Sequence, residues 1–435
     1  MGAINLDNTG SGGAITLSSD GTDLLLGGSA VGGDPDLFKD NASSATTPVA
    51  SGANAVSIGS DSQATAQDSL ALGTSTRVLG QGSVAIGIGD ASYGVLSGAD
   101  YSIAIGKQAK IRANVDYSIA IGYSTDVNNN TSTAIGYNAS ALGTGSLGIG
   151  QNAYAGNSGT LALGYGAGAY NSYSSSIGQN SSQGGSYAGA DGAMALAGSR
   201  ATGTDSLAAA IATNSSSYGA SGGNSVAIGP NAKCTGNGVA IGNTAQSTTN
   251  YAYSIGFGSI ASGNYSFSAG RDTTASARAT VALGEASLAN IQGKMSFASS
   301  KFAANGDAQG GQFILRSDTT DATAEAMTTS NSAASATNQI VAATDTCITF
   351  SGTVVAMQNG AQAYGSWKIE GLLVNDGGTT TVPNSAITVI HNSSSWGLAL
   401  SADNTNNALA VTVTGEASHN IRWVANIQTA EVTYA

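Results

Sequence analysis

The chain has 435 residues, room for two or three domains, with 9% charged residues, 61 Gly and only 4 Pro. So little charge and proline argues against disorder, and the lack of a Gly at every third position excludes collagen. A net charge of −12 argues against duplex nucleic acid, which needs a basic face, and apolar runs such as Leu207 to Ala212 are too short to span a membrane.

Residues 1–50 are rich in Gly and Asp, with strand-like pieces at Ala14–Leu17 and Leu24–Leu26. Residues 34–42, with Asp34, Pro35, Asp36 and Asn41, read as turn or linker. Two roles stand open for this segment: a cap over the first repeat, or a docking piece for a larger assembly. The first basic residue is Lys39 and no apolar run follows a positive start, so no secretory leader is expected.

Residues 51–290 carry a recurring pattern of small, apolar, small, apolar, Gly. Clear copies are Ser83-Val-Ala-Ile-Gly87, Ser102-Ile-Ala-Ile-Gly106, Ser118-Ile-Ala-Ile-Gly122 and Ser225-Val-Ala-Ile-Gly229. Sixteen copies run from Ala55 to Gly284, most of them 14 residues apart, with Ala197 and Ala210 standing in the Gly position. A fixed short period marks a solenoid, and alternation with period two marks strand. A weaker echo follows each Gly, as at Ala139 and Ala141 or Ala153 and Ala155, and gives each coil a second short strand. The expectation is a parallel β-roll solenoid of 14-residue coils. Its strands have one aliphatic face and one Ala/Ser face. One face fills an interior and the other meets a neighbouring chain, with the orientation left open. Spacings of 19, as between Ala210 and Gly229, predict surface loops, with Ser216 to Ala220 as a dispensable stretch.

Two tyrosine columns follow the same period. Tyr123, Tyr137 and Tyr165 come directly after coil glycines. Tyr101, Tyr117, Tyr173, Tyr251 and Tyr265 lie five residues before one, where other coils have Asn54, Asp68 or Asn224. That places the second column at a surface turn. Stacked there, tyrosines cover the solenoid wall or offer flat rings to a ligand.

After Asn290 the composition changes, and Trp367, Trp396 and Trp423 all lie here. Strand-like runs at Gln312–Arg316, Ile348–Met357, Ser366–Val374, Ala386–Ile390, Leu409–Thr414 and Ile421–Ile427 alternate with turns such as Asn375-Asp-Gly-Gly378. Residues 291–435 therefore read as an antiparallel β-sandwich.

The coil pattern resembles the head repeat of trimeric autotransporter adhesins, which implies a trimer of left-handed parallel β-rolls. Phage fibres share that repeat, and neither a heptad stalk nor a C-terminal membrane barrel is expected here. The C-terminal region resembles a domain of bacteriophage tail-fibre and other structural proteins. That likeness rests on Gly306-Asp-Ala-Gln309, Leu315-Arg316, Thr319-Thr-Asp-Ala-Thr323, Phe350-Ser-Gly-Thr-Val-Val-Ala356, Val413-Thr-Gly-Glu416 and Ile421-Arg-Trp-Val-Ala425.

Together these resemblances imply a homotrimeric virion fibre or spike without catalysis or membrane insertion. Its N-terminal segment would attach to the particle, and its C-terminal domain would face a host glycan or protein. The alternatives are a polysaccharide depolymerase tailspike on the same scaffold and a purely structural capsid or collar fibre. The receptor-contact candidates are Trp367, Trp396 and Tyr364, with Tyr123, Tyr137 and Tyr165 in the coils. Three chains would carry a charge of −36, so contact with an anionic envelope should hold or improve as salt rises.

Catalytic signatures are weak. Gly219-Ala-Ser-Gly-Gly223 matches a nucleophile elbow in letters but lacks a following helix. No spacing singles out a glycosidase pair among Asp318, Asp321, Asp345, Glu370 and Asp376. Cys234 and Cys347 lie far apart and give no disulfide framework; Cys234 takes the place of a small coil residue. His391 and His419 are too few for a His-rich site, so no metal and no cofactor is expected.

Overall fold

The computed structural model describes residues 46–89, 99–180, 184–210, 217–360 and 363–434, with the backbone of short strands at 4–6, 15–19, 24–26, 29–30 and 94–95. Among the described residues every regular element is a strand. The chain forms two compact units, residues 1–192 and 193–435.

In the first unit, Ile4–Leu6, Ile15–Ser19, Leu24–Leu26 and Ser29–Ala30 pair in order as an antiparallel meander. The predicted turn at 34–42 lies outside the described residues. Two parallel ladders follow. One stacks the pattern strands in strict register, Val84 on Ile103 on Ile119 on Thr133 and so on to Ser175. The other stacks the two-residue echoes, Ser140 on Tyr154 on Gly168. The second unit repeats both ladders from Met194–Leu196 onward. Its parallel stacking continues through Met295–Ala298, one coil past the last copy recognised in the sequence, with Ala298 opposite Gly284.

The coils settle which face looks where. Ala85, Ala104, Ala120 and Ala134 point into the coil and are buried. Val127 and Ala141 of the second strand meet them there, and Ala155 packs likewise with Ala162 further along. The aliphatic face points out: Leu72, Ile103, Leu163, Ile241 and Ile255 remain 37–43% exposed. A two-strand coil is thin, so mostly Ala and Ser fit between its walls, with Val78, Ile111 and Val127 as the larger exceptions.

The Ser or Thr that begins most copies of the pattern is also buried, and from Ser83 to Ser132 the hydroxyls bond along the stack. Ser102 N–H donates to Ser83 Oγ at 2.9 Å, Ser118 N–H to Ser102 Oγ at 3.1 Å and Ser132 N–H to Ser118 Oγ at 3.2 Å. These bonds satisfy polar atoms that burial would otherwise penalise. The coil Gly is required by its backbone. Gly122 has φ 136°, and a Cβ built there would strike the carbonyl oxygen of Gly136 in the next coil.

The irregular coils correct one expectation. Gly219–Ala220 is a coil strand paired with Lys233 and Cys234, and Ala220 is buried. Ser216 lies outside the described residues. The stretch 216–220 is therefore not a free loop, because it includes a whole two-residue rung of the second ladder.

The rest of the second unit is antiparallel. Its strands are β1 (Met295–Ala298), β2 (Ala308–Thr319), β3 (Ala324–Ala326), β4 (Ile340–Val341), β5 (Thr346–Gln358), β6 (Tyr364–Asp376), β7 (Thr379–Asn392), β8 (Gly397–Asp403), β9 (Ala408–Thr414) and β10 (Ile421–Thr433). The large sheet runs β1-β2-β10-β5-β6-β7. In the small sheet β9 pairs with β8 on one side and with β3 and β4 on the other. Between the sheets lie Phe313, Phe350, Trp367, Ile369, Val411 and Trp423. The Trp367 and Trp423 rings stack at 5.4 Å, and Trp423 Nε1 donates to Thr319 Oγ1 at 3.1 Å. At the junction with the last coil, Lys294 Nζ meets Glu431 Oε2 at 2.6 Å, with both side chains buried.

Candidate binding surface

The left-handed backbone at the coil turns explains the tyrosine column before the Gly. Tyr101, Tyr117, Tyr173, Tyr251 and Tyr265 all have φ between 53° and 62°, as do Asn54 and Asp68 at the same position. Tyrosine is disfavoured there, and stacking offsets the cost. Tyr101 and Tyr117 lie 5.4 Å apart at 10°, and Tyr251 and Tyr265 lie 5.3 Å apart at 5°. Tyr123 and Tyr137 stack at 5.2 Å with Lys107 over Tyr123, while Tyr165 is exposed without a ring partner among the described residues. Within each pair one face of each ring is covered by the other, and the side chains remain 39–63% exposed.

A third column escaped the sequence reading. Tyr154, Tyr170 and Tyr187 follow one another at 5.1 and 4.7 Å with their rings tilted by 32° and 34°. In the ladder Tyr154 and Tyr187 flank Gly168, and the Tyr170 ring folds back over that Gly. The signal was present as a Gly in a tyrosine column with a tyrosine two residues later.

The aromatic candidates of the C-terminal region divide. Trp367 and Trp396 are 1% and 4% exposed, packed around Trp423, so they build the core and offer no ring to a receptor. Tyr364 stands outside at 55% exposure, stacked on His391 at 4.9 Å. The same outer sheet face carries Val355, Met357 and Val424, which are 42–61% exposed. They border a groove of about 750 Å³ at one end of β5 and β10. The sequence reading missed this groove, although alternation along Ile421-Arg-Trp-Val predicts Arg422 and Val424 outside once Trp423 is inside.

Four of the five candidate carboxylates have a bonded partner. Asp318 Oδ1 accepts from Asn331 at 2.8 Å, Asp321 from Thr323 N–H at 2.6 Å, and Asp345 from Gly377 N–H at 3.1 Å. Glu370 pairs with Lys368 at 3.0 Å. Burial raises the Cys234 thiol above its ordinary value, as expected of an inert filler. Asp307 is 2% exposed: burial pushes its carboxyl up, but N–H groups of Ala303, Ala304 and Phe302 outweigh this and hold it low.

The stacked parallel coils define a β-solenoid protein. The family model "YadA head domain repeat (2 copies)" matches residues 50–76, 64–89, 97–125, 113–139, 128–153, 141–167 and 220–238. The coils thus contain YadA-type head repeats, similar to those of trimeric autotransporter adhesins. No curated protein sequence matches the chain. Among solved structures, the tailspike protein of Acinetobacter baumannii phage AM24 aligns over 84% of this chain and 72% of its own, at 9% identity and a TM-score of 0.18. Likeness at that level leaves the function to be read from this chain's own residues.

Proposed function

We propose that the chain is a homotrimeric, non-catalytic virion fibre or spike that attaches to a host cell surface. The observation that carries this reading is the run of adhesin-type head repeats in the coils. The C-terminal resemblance to phage fibre domains supports the virion setting. The half-exposed aliphatic face of the coils supports the trimer, since a regular apolar stripe of this length is a contact surface for like copies. Three copies of each weak site then act together. Contact with the host falls to the outer face of the C-terminal sheets, where Tyr364 stands clear of the core.

Adsorption of the labelled full chain to a panel of bacterial cells tests the attachment. Saturable binding to some strains and not others is the expected result. Uniform absence of binding by a folded trimer would leave a structural fibre in its place. Light scattering tests the assembly: three chains of 42.5 kDa are expected, and a single chain would end the trimer.

A further inference from the structure

We propose that the groove at the β5–β10 end of the large sheet binds a carboxylated sugar of a surface polysaccharide. This rests on the attachment reading and names the chemistry it would use. Strand pairing lays out the groove. Arg422 lies opposite Met357 on one side and Asp318 on the other, and Met357 lies opposite Tyr364. One rung further, Val424 lies between Val355 and Arg316. All these side chains point away from the core.

Charge selects the ligand. Arg112, Arg271, Lys294 and Lys368 each pair with a carboxylate. Neither Arg316 nor Arg422 has a side-chain hydrogen bond or an ion pair among the described residues. Asp318 faces Arg422 across the strands, yet its carboxylate is engaged by Asn331. Among the groove's lining residues Arg422 is the one cation and Asp318 the one carboxylate; with Asp318 bonded to Asn331, the Arg422 guanidinium is left open to a ligand. A planar guanidinium grips a carboxylate with two parallel hydrogen bonds.

The remaining walls suit a sugar. Val355, Met357 and Val424 give an apolar floor for the C–H face of a pyranose, and the exposed Tyr364 ring extends it. Gln358, Asn359 and Asn420 bring amides to the rim for hydroxyl groups, and a 2.8 Å bond from Asn359 N–H to Asn420 C=O holds the last two together. An acidic peptide would satisfy Arg422 but leave this pairing of floor and amides unused.

The test measures binding of the full chain to immobilised polygalacturonate, dextran and polyglutamate. Polygalacturonate alone is expected to bind. Arg422→Gln should weaken it about tenfold or more, while Lys301→Gln, outside the groove, leaves it unchanged. Equal binding to dextran or to polyglutamate overturns the carboxylated-sugar assignment. No binding to polygalacturonate, or no effect of Arg422→Gln in a folded protein, overturns the site. A changed molecular mass in Arg422→Gln also overturns it, since the face would then be a contact between copies. Cell adsorption that persists when polygalacturonate binding is absent removes this inference and leaves the attachment reading standing.

Discussion

The coil interior and the sandwich interior solve burial in opposite ways. The coils bury alanines and serines in columns, each touching its own copy one turn away. The sandwich buries Trp367, Trp423, Phe313 and Phe350 in one cluster fed from distant strands. In the first design each rung contributes little and stability accumulates between neighbours. In the second, a few large rings hold the whole. The two designs should therefore fail differently: the sandwich by losing volume, the coils by gaining it.

The largest effect is expected from Trp423→Ala. The ring touches Trp367 and Trp396 and anchors Thr319. Its loss should cost about 3–5 kcal/mol. Calorimetry should show a sandwich transition moved far down, with a coil transition in place. If both move together, the two regions share one cooperative unit and the contrast between them fails.

Ala120→Phe is the counterpart in the coils. Ala120 is fully buried between Ala104 and Ala134. The extra ring has no space, so overpacking should cost about 1–3 kcal/mol per chain. Since Ala120 faces the coil's own interior, the damage should appear in a monomer as well as in a trimer. Ile103→Glu, on the outward face, should instead lower the molecular mass and leave the coil's circular dichroism intact. Identical outcomes for the two variants would contradict the assignment of faces.

Much of this contrast was legible in the sequence. The repeat fixed strand, period and coil because every rung repeats the same local demand: Gly where φ is positive, Ala where the wall is thin. The alternation around Trp367 located its strand to within two residues at each end, and that around Trp423 located the start of its strand but stopped short of Thr433. What escaped was non-local. The orientation of the coil faces depends on how thin a two-strand coil is, which no single strand records. Trp367 and Trp396 looked like surface rings because they break the repeat, and only the packing of the small sheet shows them covered. The groove at Arg422 joins β2, β5 and β10, whose neighbours in space are about a hundred residues apart in sequence, as with Asp318 and Arg422.

Acid should separate the regions more gently. Burial alone would push the carboxyls of Asp307 and Asp403 up. The N–H groups of Ala303, Ala304 and Phe302, and those of Asn406 and Thr405, outweigh it and hold both low. A depressed folded value means that the stabilisation is fully present above the ordinary aspartate value of 3.8. It is lost as pH falls through the depressed values. The near-ultraviolet signal of the sandwich tryptophans should therefore weaken in that window, and Asp307→Asn should reduce the change. An unaltered acid response in Asp307→Asn would place the sensitivity elsewhere.

The smallest effect is expected from the tyrosine ladders, and its size decides what they are for. Tyr117 stacks on Tyr101, is 63% exposed, and holds a left-handed turn with φ 55°. Two terms oppose each other in Tyr117→Gly. Loss of the stacked pair costs about 0.5–1.5 kcal/mol. Relief of the strained turn returns about 1–2 kcal/mol, because Gly adopts that φ freely. The net change in melting should be close to zero. A ladder kept for stability would show a clear loss instead. If stability is unchanged while adsorption to cells falls, the coil tyrosines join Tyr364 as contact residues, and binding extends from the sandwich onto the coils. If adsorption is also unchanged, the rings serve only to shield the coil wall, and the host contact belongs to the C-terminal sheets.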